Sequence, residues 1–524
     1  MPDLPIIQTV ADDLTEVESG LIDYLTDVTR ELMRQQHVPG LSVCIRRTGR
    51  LVWDAGFGYA DLAEQRPMTP DTVFRSGSMG KTYTAIGVMK LVEHGRLALD
   101  QPINDVLDFR VDNPLGERDV TVEDLLTHRS GLASNGAGST MEPPPPLNDH
   151  LREHFTAGIH ELWRGSVYDG LFTQPVGEAM QYSNSGLGLL GLMIERANGD
   201  GLSYAGFLRK YLIEPLGHTW TFYPDGVYDD PAQVPQEIQD RVSTGYTGFG
   251  TLNIRTPKIY FKDFPAGLIL SIGREHARIL QLMMNGGELD GLRILEEQTV
   301  ADMLTPRVPF APPRPGGPQI GLLWMLGDPG QTTEWIGHGG AHMYGWHNDY
   351  RGYPKLDLAM SVNTNRWDLA QTSQAQMKPH LATLLMVLAA RYVAAREVAG
   401  RDWTTRPWAW KRSYVLGLVT RACVNGSLGI TQDLDDTRVK EMLTDVNPGD
   451  DGLWDPDGYQ AGVRSLDGND FSAASVEAFL GSDDCPVDRA ELEALWGDCG
   501  GIGAFPLPIA PAIRAMLATR TLPG

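Results

Sequence analysis

The chain has 524 residues, 42% of them apolar and 21% charged, with a formal net charge of −23; it can fill two to four domains, and its charge is opposite in sign to a nucleic-acid-binding footprint. Four cysteines, Cys44, Cys423, Cys485 and Cys499, are too few and too scattered for a disulfide framework, and their spacing fits no zinc motif. The first residues lack the basic and apolar blocks of a secretory signal, and the longest apolar run, Leu384 to Ala390, falls far short of the ~20 residues of a membrane span; the expectation is a cytoplasmic protein without nucleic-acid or membrane partners.

From Leu14 to Leu32, apolar residues recur at three- and four-residue spacing, which predicts an amphipathic helix that Val38-Pro39-Gly40 stops. Two β-rich runs, Leu41 to Arg46 and Leu51 to Gly56, flank Thr48-Gly49 and predict a hairpin. The small-residue stretch Arg75 to Thr82 leads into a helical run ending at Glu93. Thr121, followed by Glu123 and Asp124, reads as a helix N-cap, and that helix is expected to run on to Gly131. Residues 133–180, with Pro143 to Pro146, read as an insertion bordering a pocket. A buried helix over Leu187 to Ile194, a helix after Pro265-Ala266-Gly267-Leu268, a short helix over Glu297 to Leu304, a strand over Leu356 to Val362 and a helix over His380 to Val398 follow. Helices bracketed by strands from both ends suggest one mixed sheet. Beyond Gly400 the composition shifts to short helical patterns, acidic loops and Trp403, Trp408, Trp410 and Trp454; residues 1–400 and 401–524 are expected to be separate domains, the second mainly helical.

Gly80-Lys81-Thr82 matches the end of a phosphate-binding loop, but the position of that motif's first glycine is Arg75. The strand-to-helix elbow around a serine fails as well, because Ser76 stands two residues before Ser78. What remains is Ser78 and Lys81, three residues apart and therefore on one face of a helix. A buried lysine whose pKa is lowered by desolvation can deprotonate that serine. Tyr182 and Asn184, two residues apart, place a phenol and an amide on one side of an extended segment, and a tyrosine beside a lysine can act as base and then acid. His338-Gly339-Gly340 supplies a backbone with little side-chain bulk, open to close approach by a substrate. His342 and His347 lie nearby, but no acidic residue stands at ligand spacing, so no metal or other cofactor is expected.

These segments, in this order, resemble the serine β-lactamase and penicillin-binding-protein superfamily, in particular its class C-like branch with the family VIII carboxylesterases and D-aminopeptidases. The resemblance spans about residues 15–395 and includes Leu125 to Leu132, Tyr182 to Gly186 and Pro265 to Leu268. It implies an α/β (α+β) fold: an antiparallel sheet flanked by helices, with an all-helical subdomain. Ser78 resembles the acylated nucleophile, Lys81 the amine that deprotonates it, and Tyr182 the second base. The backbone N–H groups of Ser78 and Ala341 would form the oxyanion hole, and Asn184, His338, Gly339 and Gly340 would contact substrate.

The third motif departs from the Lys-Thr-Gly usual in the family's lactamases and peptidases. A neutral His338 there disfavours an anionic substrate. The expectation is a serine hydrolase acting through an acyl-enzyme on a small-molecule ester or lactone, as a homo-oligomer. In length and organisation the chain is also similar to superfamily lactonases that open the macrolactone zearalenone. The alternatives are a D-aminopeptidase or amidase, and a penicillin-recognising module without turnover.

Overall fold

The computed structural model describes residues 4–133, 139–140, 144–156, 171–218, 223–224, 234–257, 260–267, 269–310, 318–330, 332–342, 345–368 and 381–397. The carboxy-terminal module expected from sequence over 401–524, with its tryptophans and Cys423, Cys485 and Cys499, lies outside these residues. Among the described residues no helix is long and apolar enough to cross a membrane.

The predicted hairpin forms at Thr48-Gly49, both with positive φ (47° and 76°), the turn whose twist matches that of its flanking strands. Its strands are longer than the sequence pattern marked, because burial extends along both. In chain order, the main elements are strand β1 (Ile6–Val10), helix α1 (Glu16–Gln35), β2 (Gly40–Arg47), β3 (Arg50–Asp61), β4 (Arg66–Pro67), α2 (Gly80–Glu93), α3 (Val122–Leu126), α4 (Leu147–Thr156), α5 (Asn184–Ala197) and α6 (Gly273–Met284). Then follow β5 (Val308–Pro309), β6 (Gln319–Ile320), β7 (Met325–Gly327), β8 (Trp335–His342), β9 (Trp346–Tyr353), β10 (Leu358–Thr364) and α7 (Leu381–Glu397).

The ten β-strands make one sheet in the order β1-β3-β2-β10-β9-β8-β7-β6-β5, with β4 on β3. Both ends of the chain contribute, as expected. The sheet is antiparallel at every pairing rather than mixed. Short turns join β2 to β3 and β8 through β10, which forces antiparallel neighbours. The junction of the two halves is antiparallel too, with Val43 opposite Val362 and Ile45 opposite Met360. Both strands at this junction are buried at every residue, as expected for strands covered on both faces. Helix α6 lies across β2, β9 and β10.

Helices α2, α3, α4 and α5 form a cluster in which α5 meets the other three. Almost every residue of α2 from Gly80 to Leu91 is buried. Helix α3 begins with a reciprocal capping box: the Asp124 N–H donates to Thr121 Oγ1 at 3.3 Å and the Thr121 N–H to the Asp124 carboxylate at 2.9 Å. It ends at Leu126, before the predicted Gly131, because His128 leaves helical geometry with φ +55. The helix expected after Pro265 starts only at Gly273, since Ile269–Ser271 first pairs with Phe74–Arg75.

Residues 33–330 and 334–370 belong with 1–12 to one contact unit, which carries the sheet; α1 up to Leu32 and α7 belong to a second. Within the second unit, Tyr24 stacks on Tyr392 with ring centroids 5.3 Å apart.

Candidate active site

Ser78 lies in the short 3-10 turn Gly77–Met79 that runs directly into α2. The turn presses against β8 so closely that two glycines are required. Gly77 has φ +58, and a β-carbon there would lie 2.8 Å from the Ala341 backbone nitrogen. One on Gly340 would lie 2.0 Å from the Ser76 carbonyl oxygen. Main chain thus meets main chain, which brings the Ala341 N–H beside the turn that holds Ser78. At Gly339, by contrast, a β-carbon would meet nothing within 4 Å, so the strand is open there.

One turn along α2, Lys81 has no exposed surface. Its Nζ lies 3.2 Å from Ser78 Oγ, 2.8 Å from Asn184 Oδ1 and in hydrogen-bond contact with the Ala266 carbonyl. Burial lowers its pKa from 10.5 to about 7, against a partial upward pull from Asp263. Asp263 is itself buried, 3.4 Å from His150.

A neutral amine has two N–H donors and one lone pair. With Asn184 Oδ1 and the Ala266 oxygen taking the two donors, the lone pair is left for the Ser78 O–H. The geometry thus points the lone pair of a neutral Lys81 at the Ser78 hydroxyl.

Tyr182 closes the group from above Lys81, whose Nζ lies 4.8 Å from the ring centre. Burial pushes the phenol well above its usual pKa, and the adjacent Ser78 side chain offsets this in part. It rests as a phenol, a proton donor. Ser183 caps α5 through its hydroxyl, which accepts the Gly186 N–H at 3.3 Å, and so sets Asn184 at the first helical position.

His338 on β8 is 3% exposed. Its Nδ1 donates to the Gly339 carbonyl at 2.6 Å. Burial, aided by the Lys81 charge, lowers its pKa to about 4; it is neutral, as expected from sequence. Of the other two histidines, His347 stacks on Trp367 with centroids 5.6 Å apart, and the His342 side chain lies outside the described set.

The structure therefore brings Ser78, Lys81, Tyr182, Asn184 and the β8 segment together. Sequence reading assigned no role to three further participants. The Ala266 carbonyl is a backbone group with no sequence signature. Phe310 stands edge-on to Tyr182 at 6.5 Å and joins Met180, Val308, Ile320 and Met325 in an apolar wall. His128 lies against Tyr182, with ring centroids 4.5 Å apart; its place in a segment shared with the resembled family was the available signal.

A family model described as Beta-lactamase matches residues 25–381. Among curated relatives, Protein Rv1367c of Mycobacterium tuberculosis is 27% identical over 331 residues, 58% of this chain and 80% of the relative. Protein flp of Staphylococcus aureus is 27% identical over 197 residues, 37% of each chain. Among solved structures, the octameric penicillin-binding protein homologue from Pyrococcus abyssi is 25% identical with a TM-score of 0.53, over 66% of this chain and 73% of its own. The class C beta lactamase from Rhodobacter sphaeroides shares the fold at 20% identity and a TM-score of 0.53, over 72% and 99% of the two chains.

Proposed function

The chain belongs to the beta-lactamase family of serine hydrolases, and on that premise we propose that it hydrolyses an uncharged carboxylic ester or lactone through an acyl-enzyme on Ser78. The observation that carries this reading is the environment of Lys81: a buried amine with a pKa of about 7, whose two N–H groups are taken by carbonyl oxygens and whose lone pair faces Ser78 Oγ.

In this scheme Ser78 Oγ attacks the acyl carbon while its proton passes to Lys81. The carbonyl oxygen gathers charge between the N–H groups of Ser78 and Ala341, and each such donor is worth about 10²–10³ in kcat. The acyl C–O bond then breaks, and the leaving alkoxide takes the Tyr182 proton, which is replaced from the Lys81–Ser78 pair. Water attacks the acyl-enzyme as Tyr182 relays its proton, and Ser78 leaves with a proton restored.

Two features favour an uncharged ester over an anionic β-lactam. His338 is neutral where a family lysine would anchor a carboxylate, and the Tyr182 side of the site carries the apolar wall of Met180, Phe310 and Met325. A macrolactone such as zearalenone, apolar and uncharged, fits these features. D-amino acid amidase activity has less support. It needs an acid exposed to a free ammonium group, whereas Asp263 is buried beside His150.

The test is a panel of alkyl esters, zearalenone, D-amino acid amides and β-lactams assayed with wild type and Ser78→Ala. Ester or lactone turnover should dominate in wild type and vanish in the folded variant. Retained turnover in Ser78→Ala would sink the mechanism, and amide-dominated turnover would sink the substrate class.

A further inference from the structure

His128 occupies a position that the scheme above does not use. It follows the last turn of α3 with φ +55, a conformation that a residue carrying a β-carbon keeps only when its surroundings over-determine it.

Those surroundings converge on Tyr182. The His128 carbonyl accepts the Gln181 N–H at 2.7 Å, and its Nδ1 accepts the Ser183 N–H at 3.3 Å. The amides on both sides of Tyr182 therefore end on one residue. The His128 ring also lies along the Tyr182 ring, with 32° between their planes. The side chain is 1% exposed. Since Nδ1 accepts, the ring proton of the neutral form sits on Nε2, a buried atom with no hydrogen-bond partner among the described residues. Burial keeps the ring neutral, and a proton on Lys81 pushes the same way. A proton on Nδ1 would set donor against donor at Ser183. Because Ser183 caps α5, the same contact also fixes Asn184, which holds Lys81.

We propose that His128 is a positioning residue for Tyr182: its carbonyl and Nδ1 grip the backbone on either side of the tyrosine and its ring orients the phenol toward Ser78 for proton transfer to the leaving group. This rests on the reading of Tyr182 given above.

The test compares alkyl and aryl esters of one acyl group, using full-length wild type, His128→Ala, His128→Asn and Tyr182→Phe. An aryl oxide leaves without help from a proton donor, and an alkoxide does not. A misplaced phenol should therefore lower kcat/KM for the alkyl ester by about 100-fold and for the aryl ester by no more than about tenfold. The alkyl-to-aryl ratio does not depend on the fraction of protein folded, so partial misfolding of His128→Ala leaves it readable. His128→Asn keeps an acceptor at the Nδ1 position and tolerates positive φ, and should bring the ratio back to within about threefold of wild type. Equal losses on both esters in His128→Ala, with Tyr182→Phe still selective against the alkyl ester, would overturn the positioning role and leave Tyr182 in place. An unchanged alkyl rate in Tyr182→Phe would overturn both.

Discussion

Helix α2 has histidines packed near two of its side chains, and they are used differently. Near Tyr83, His276 is fully buried and both its ring nitrogens are engaged, Nδ1 with the Tyr83 hydroxyl at 2.8 Å and Nε2 with Ser271 Oγ. Near Lys81, His128 and His338 are as deeply buried, yet each keeps Nε2 without a hydrogen-bond partner among the described residues. All three are neutral, His276 with its pKa lowered to about 3 and His338 to about 4. Burial is the main cause of the neutrality in all three. The difference lies in satisfaction: a buried network with every valence met holds structure in place, and one left open retains capacity to bind or relay.

The comparison breaks most readily at Lys81. Lys81→Met should lower kcat/KM by about 10²–10⁴, the usual worth of a positioned base, and loss of less than tenfold would remove the amine from the mechanism. The same variant tests the cost of burying the amine. The folded pKa, about 7, lies below the unfolded value near 10.4. Below pH 7 both states are protonated and the folded state bears the full penalty. Between pH 7 and 10 the unfolded chain holds the extra proton, so wild-type stability rises with pH. The stability of Lys81→Met relative to wild type, followed by denaturant titration, should therefore be highest at pH 6 and decline toward pH 10; a flat difference would contradict the shifted pKa.

A smaller effect is expected in the pH–rate profile of wild type. As Lys81 gains its proton, kcat/KM should fall about tenfold per unit below pH 7. A limb near pH 4 would assign the titration to His338 instead. Smallest in activity is His276→Leu, which deprives Tyr83 and Ser271 of their shared partner. It should cost about 1–3 kcal/mol of stability while leaving kcat/KM within roughly threefold of wild type. A collapse of activity at full stability would place the closed network in the chemistry and erase the contrast with the Lys81 side.

Much of the site was legible along the chain because its chemistry is local. Ser78 and Lys81 meet through helical spacing, Tyr182 and Asn184 through the entry to α5, and Gly340 through the bulk it lacks. The hairpin at Thr48-Gly49 and the cap at Thr121 were equally local. The errors came where distant segments decided the outcome. Element order suggested a mixed sheet, but strand direction is set by how β10 meets β2. The helix after Thr121 is shorter than its sequence pattern, because His128 turns out of helical geometry where its carbonyl and Nδ1 meet the Gln181 and Ser183 amides, over fifty residues on.

The sequence by itself determined that a serine and a lysine share one helical face and that the third motif carries no permanent cation, since both follow from residue identity and spacing. Only the tertiary structure decided that the lysine can serve as the base proposed for Ser78. That property belongs to its burial and to two carbonyl oxygens, one on Asn184 and one in the Ala266 backbone, which long-range folding brings to the amine and which leave its lone pair to Ser78.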